Sequence, residues 1–457
     1  MRGFYNCMGC SRSRKWIAFL LFALGLFSKT KIFFFGALSI SECVVFAIAP
    51  FVFIKNLNLL KRDGFMPLLW MIAGLFTSML VSAKLNYTAN VYIFKSIALI
   101  YAIAAFIVVF HSLLRKNPNA LWLFWVGVFI SSIITIYAFN PTVQVSESGY
   151  AFIGQDSARD IMNGQMFLIG RLKYILQLPI FGFYLKIPVL YSVLMAVVYI
   201  LVMMLTTVSG RSASVVILLG AAAIFVGGHR RSAMRSIGKH LIVYAILGAV
   251  VALLFKSVHS YLAKNGTLGD EALAKYENQT QEGSGFLKIL MSGRQEFFMA
   301  IPAALDKPIV GHGPFASDTK GYVEEFIYKY GSALQVRFYE AGKQQANRLG
   351  YKMPIPSHSH IMGAWVHYGL FGLIFYLWVI FVVIRHFKKY AGAIPQWYGY
   401  FALTLCQFMW EVFFSAFSSR DYFALMMTCL FFARAVGSGR LLLPPEMVME
   451  ILKADRR

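Results

Sequence analysis

Runs of about twenty apolar residues recur along this chain, and they constrain its fold more than any other feature. A segment of that length, coiled as a helix, crosses the hydrocarbon core of a bilayer. The clear runs are 32–54, 65–83, 92–114, 121–139, 188–208, 211–228, 240–258, 358–384, 396–416 and 421–437, with a shorter one near 16–28. Hydrophobic residues fill 58% of the 457 positions and charged residues 14%, so most of the chain cannot face water. The expected class is an all-α, polytopic membrane protein.

Charge orients the set. The net charge of +23 would suit nucleic acid if the basic residues lined one soluble face, but they fall in short clusters between apolar runs, which excludes a nucleic-acid partner. Lys55, Lys61 and Arg62, Arg115 and Lys116, Arg230 to Lys239, and Arg385, Lys388 and Lys389 all lie in short connections, which the positive-inside rule assigns to the cytoplasm. Keeping both 115–116 and 230–239 inside requires an even number of spans between them, and the clear runs supply three. The segment 164–185, interrupted by Arg171 and Lys173, is the best candidate for the fourth. About twelve spans with both termini inside result.

The basic leader with Arg2, Arg12, Arg14 and Lys15 resembles the start of a signal peptide, yet no small-x-small cleavage site follows, so a retained first span is expected. Cys7 and Cys10 form a C-x-x-C without partner ligands, which reads as a reduced thiol pair, with metal or redox chemistry as the alternative.

The polar segments 140–163 and 259–357 then fall outside. The larger holds ten of the twenty acidic residues against eleven Lys and Arg, nearly neutral beside a strongly basic inner face. It contains no cysteine, so no disulfide staples it. Asp270 to Tyr276, Gly285 to Leu305 and Asp318 to Arg348 have helix-like composition, which predicts a mostly helical cap. The expected organisation is an N-terminal bundle of about nine spans over 1–258, the outer loop over 259–357, C-terminal transmembrane helices over 358–437 and a cytoplasmic tail over 438–457.

Three places could do chemistry at the outer face. Arg211 follows Ser209 and Gly210 at the start of an apolar helix, where a cation opposes the helix dipole. It is either a snorkelling arginine or one that holds an anion together with free backbone N–H groups. Arg294 follows Ser292 and Gly293 and precedes Glu296; an exposed ion pair is the alternative to a binding role.

The third place is Pro356-Ser357-His358-Ser359-His360. The prolines at 354 and 356 stop any incoming helix, Ser357 can cap the next, and His358 and His360 then fall in its first turn. The positive end of the dipole favours neutral imidazole, a usable base near pH 7. The alternatives are an interfacial hydrogen-bonding pair or incidental metal affinity; an H-x-H on a helix points its rings apart and has no nearby third ligand, so no metal is expected. His367 lies one helical stripe further on. Glu42 and Glu411 are carboxylates in predicted spans, either functional or structural.

These residues resemble the signature of the O-antigen ligase and polymerase superfamily. That signature has a His followed by Asn or Ser, a Glu nine residues after the His, and glycines two and five residues beyond that Glu. Counted back from Gly369 and Gly372, its His is His358, Ser359 stands at the Asn position, and His367 replaces the usual Glu. Gly210-Arg211-Ser212 resembles the family's Ser-Arg-Gly-like turn, Gly293-Arg294 its Gly-Arg early in the large loop, and Pro308 to Gly313, which contains His312, its Pro-x-x-Gly-x-Gly. The likeness covers about residues 190–390.

The resemblance implies a bacterial inner-membrane glycosyltransferase with its active site on the periplasmic face and no cofactor. It would move a glycan from undecaprenyl pyrophosphate to an acceptor hydroxyl, with inversion. His358 would be the base, with His360 in a supporting or alternative role. Arg211 and Arg294 would hold the pyrophosphate, and His367, Glu411 and His312 are possible supporting residues. The acceptor is lipid A-core for a ligase, which is favoured, or a second lipid-linked glycan for an O-antigen or exopolysaccharide polymerase. A reading from another class is a secondary transporter with Glu42, Glu411 and the histidines as a proton relay, although such transporters tend to show two similar halves and mid-membrane binding residues.

Overall fold

The computed structural model describes residues 12–28, 31–33, 37–117, 120–138, 261, 265, 295–330, 333–348, 353–355, 359–390, 404–405, 408–409 and 411–413. The segment 164–185, the runs 188–208, 211–228, 240–258 and 421–437, the tail, and Cys7 and Cys10 lie outside the described residues, as does Asp270 to Tyr276.

The described chain is predominantly helical. Helix α1 (Arg12–Leu26) is followed by a hairpin of β1 (Lys31–Phe33) and β2 (Ala37–Ser39). Four longer helices come next: α2 (Ile40–Arg62), α3 (Met66–Leu85), α4 (Asn90–Lys116) and α5 (Leu121–Ala138). Of these, α2, α3 and α4 are long and apolar enough to cross a membrane. In the loop region lie α6 (Gln295–Asp306), α7 (Tyr322–Tyr330) and α8 (Ala333–Arg348), and α9 (His360–Tyr368) and α10 (Leu370–Tyr390) follow. Helix α1 packs on α5, α2 on α4, and α3 against both α4 and α10. A single apolar core joins these helices to α6 and α9.

Two predicted spans have different boundaries. Residues 31–33 pair antiparallel with 37–39, in the register Lys31 to Ser39 and Phe33 to Ala37, so the helix expected from 32 starts at Ile40. The run Ile32 to Phe35 is β-branched and aromatic and suits a strand. A capping box then starts α2: the Ser39 hydroxyl accepts the Glu42 N–H at 3.1 Å, and the Glu42 carboxylate accepts the Ser39 N–H at 2.7 Å. The helix continues well past residue 54. Its backbone breaks step at Asn56 (φ −112°, ψ 15°), whose side-chain amide donates to the Val52 carbonyl at 2.8 Å and competes with the helical ladder.

The run 358–384 is not one helix. Ser359, not Ser357, is the N-cap: it is extended (φ −157°, ψ 127°) and its hydroxyl accepts the Met362 N–H at 3.2 Å. Helix α9 ends at Gly369, and α10 turns back beside it. Ala364 lies against Gly372, and the His360 ring lies 5.8 Å from that of Tyr376, so the two helices form an antiparallel hairpin. Hydrophobicity is continuous across the turn, which is why periodicity alone reads one span.

The described part of the large loop is helical except for the connection 307–321 and the segment 353–355, which meet in an isolated bridge between Ser317 and Pro354. The Asp318 carboxylate starts α7 by accepting the N–H groups of Gly321, Tyr322 and Val323 at 2.8, 3.0 and 2.8 Å. Val323, Ile327, Met299 and Tyr339 close a small satellite core beneath it.

Candidate functional site

The hairpin turn at Gly369 is where the site is assembled. Gly369 has φ +72° and ψ −158°, a conformation essentially reserved for glycine. A Cβ there would run into the Ile309 carbonyl, and one on Gly311 (φ +77°) into the backbone of Gly369. The segment Pro308 to Gly313 therefore lies directly on the turn, backbone against backbone. Its hydrogen bonds follow from that approach: His312 N–H donates to the Val366 carbonyl at 2.7 Å, Gly313 N–H to His367 at 3.2 Å, and Leu370 N–H to Ile309 at 3.1 Å. The Trp365 indole adds a bond to the Pro308 carbonyl at 3.1 Å. Carbonyls that end α9 and would lack helical partners are satisfied by this loop.

Helix α3 completes the clasp from the other side. The Ser82 hydroxyl donates to the His367 carbonyl at 2.8 Å and the Ser78 hydroxyl to Tyr368 at 2.7 Å. The Asn86 amide donates to the Gly311 carbonyl at 3.0 Å, and Lys307 donates to the Asn86 side-chain oxygen at 2.7 Å. From α4, Ser96 meets the Tyr368 hydroxyl at 3.2 Å.

The clasp also orients α6. The C-terminal ends of α6 and α9 meet in it, the two helices pack on each other, and Ala300, Ala303 and Ala304 of α6 are fully buried.

Four of the sequence-predicted site residues are described. His360 opens α9, buried, with Nδ1 3.4 Å from the Tyr376 hydroxyl. His367 is buried at the far end of α9, and its Nδ1–H donates to the Gly313 carbonyl at 3.1 Å, so it belongs to the clasp. His312 donates from Nε2 to the Ala303 carbonyl at 2.7 Å, and the Asp306 carboxylate stands 3.9 Å away. Burial holds the His312 ring below the ordinary histidine value, with the Ala303 bond opposing. Glu411 is buried next to Val412, whose carbonyl accepts the Ser359 hydroxyl at 3.1 Å. His358, Arg211 and Arg294 lie outside the described residues. Among the predicted residues, the fold thus joins His312 to His367 through the clasp and sets His360 and Glu411 near the start of α9.

Sequence reasoning missed Tyr376 and the α3 residues. A signal for the latter was available: Ser78, Ser82 and Asn86 recur every four residues along one face of an apolar helix. It also missed a second polar cluster at the opposite end of α3. There Asp63, fully buried, accepts from His111 Nε2 at 3.0 Å and from Arg115, while the ring of Phe65 lies 4.2 Å from that of His111. Burial alone would raise the Asp63 carboxyl; the His111 bond and the charges of His111 and Arg115 outweigh it and hold the group below the usual carboxylate range. This contact places the basic connections 61–62 and 115–116 at the same end. Helix α10 runs antiparallel to α3, which carries its C-terminal Lys388 and Lys389 toward that end too.

Comparison with known proteins finds no matching family model and no similar curated protein.

Proposed function

We propose that this protein is an inner-membrane glycosyltransferase that moves a glycan from undecaprenyl pyrophosphate to an acceptor hydroxyl, in the manner of O-antigen ligases. In this reading it has about twelve spans, both termini inside, and the clasp at the periplasmic end. The gathering of three basic connections at the opposite end of α3 supports that orientation. The observation that carries the reading is the closing of Pro308 to Gly313 onto the turn at Gly369, which brings together two of the glycine motifs that carry the resemblance.

The reaction then needs little else. His358 takes the proton of the acceptor hydroxyl as its oxygen attacks the anomeric carbon. The bond from that carbon to the pyrophosphate oxygen breaks, and Arg211 and Arg294 hold the departing anion through bidentate contacts. Attack opposite the leaving group inverts the centre. His360, turned toward Tyr376, supports the start of α9 rather than reaching the acceptor. A proton-relay transporter is less favoured, since Glu42 is engaged in its capping box.

The variants His358→Ala, Arg211→Ala and Arg294→Ala each abolish glycan transfer while the protein still inserts; full activity in all three overturns the proposal. Deleting the gene separates the acceptors. Loss of all glycan on lipid A-core, with full-length lipid-linked chains accumulating, identifies a ligase. A single repeat unit still on the core identifies a polymerase instead.

A further inference from the structure

The clasp sits at a level of the molecule that two helices define independently. Helices α3 and α4 are each long and apolar enough to cross a membrane, so the turn that joins them, 86–89, lies at a bilayer surface. The loop after α6 is bonded to that turn. Lys307 and the Gly311 carbonyl both bond the Asn86 side chain, and Phe315 stacks on Tyr92 at 5.8 Å between centroids.

At this level the loop carries apolar side chains that it does not bury. Ile309 is 73% exposed and Leu305 61% exposed, whereas the other face of α6 is packed in the core. Ile309 is also continuous with the first turn of α10, through the hydrogen bond from Leu370 N–H. From there Leu370, Ile374, Leu377 and Phe381 present an exposed apolar stripe along one face of α10. Across the clasp, Leu85 is exposed and Tyr87 is 95% exposed, beside the exposed Lys84. An aromatic and aliphatic rim with lysines among it is the composition of a helix end at the headgroup boundary, where apolar groups enter the acyl region and ammonium groups reach phosphate.

We infer that Leu305 and Ile309, together with Leu85 and Tyr87, form a membrane-anchoring rim that seats the loop region in the lipid headgroup boundary. The occupant is the phospholipid bilayer itself, with Lys84 and Lys307 facing the phosphates. The rim fixes the depth of the clasp, and hence of the paired α6 and α9, relative to the lipid surface. This inference rests on α3 and α4 being spans and not on the glycan-transfer reading.

The experiment uses the full chain in phosphatidylcholine vesicles, with a bimane fluorophore on Ile309→Cys and, separately, on Leu305→Cys; the label on the native cysteines is measured in the unsubstituted protein and subtracted. Lipids brominated at a shallow acyl position quench both labels, and deep bromines quench them less. The same label at Tyr330→Cys, exposed on α7, is not quenched. Absence of lipid quenching at both 305 and 309 overturns the inference, whether water or another part of the chain covers them. Because both side chains are unpacked, neither substitution removes a core contact. Quenching is read without any glycan donor, so its failure is distinct from loss of transfer in His358→Ala.

Discussion

At the two ends of α3, the same apolar bundle is closed by opposite means. One end is tied by a single buried carboxylate, Asp63, holding the side chains of His111 and Arg115. The other is tied by backbone: loop 308–313 and the turn at Gly369 exchange N–H and carbonyl groups, and α3 contributes only hydroxyls and an amide. The first arrangement tolerates changes of shape and fails when a charge is removed, because it leaves the others buried and unmatched. The second carries almost no charge and fails when an atom is added. A charge-tied joint can be rebuilt from many side chains, while a backbone joint demands glycine at the points of contact.

The largest expected effect tests the backbone end. Gly369→Ala combines a forbidden backbone conformation with a Cβ driven into the Ile309 carbonyl, and should cost about 3 kcal/mol or more, read as a fall in thermal midpoint of the detergent-solubilised protein. An unchanged midpoint would mean that the loop and the turn are not joined as described. At the charged end, Asp63→Asn keeps the shape and removes the charge; a loss of about 2 kcal/mol is expected, with a double-mutant cycle against Arg115→Gln assigning part of it to the pair. If Asp63→Asn is silent, charge is not what ties that end.

Smaller changes sharpen the contrast. Ser82→Ala removes one hydroxyl bond to the His367 carbonyl and should cost about 1 kcal/mol, with the α9 turn exchanging its amides faster. Acid separates the two ends by pH window. The His312 value is lowered in the fold, so its contribution is complete above the ordinary histidine value of 6.5 and is lost as pH falls through the folded one. The Asp63 value is also lowered, so its contribution is complete above 3.8 and is lost only below that. Mild acid should therefore speed hydrogen exchange around 308–313 before it protonates the Asp63 carboxylate, and His312→Asn should weaken the effect. The smallest effect is expected at the half-exposed Glu324–Lys343 pair linking α7 to α8, where Glu324→Gln should change the thermal midpoint little.

Much of this architecture could be read in the chain. The starts and ends of α3, α4 and α5 follow the apolar runs within a few residues, since hydrophobic length is a property of sequence alone. The motifs Pro308 to Gly313 and Gly369 to Gly372 were also visible, as were the histidines beside them. That the first motif closes on the second was not visible, because their glycines are spaced for a contact between segments far apart in sequence. The hairpin at 31–39 was hidden for a related reason: a short aromatic run has the same hydropathy as strand or helix, and the capping box at Ser39 decided.

What the sequence determined by itself is the set of apolar runs long enough to cross a membrane, the helical periodicity and the residue types available for chemistry, because all three depend on composition and local spacing. Only the tertiary structure decided that 358–384 turns back on itself at Gly369, that His367 serves the clasp, and that α6 packs on α9. Those outcomes depend on where backbone N–H and carbonyl groups find partners across the bundle, and an apolar interior makes that pairing obligatory without recording it in any one stretch of chain.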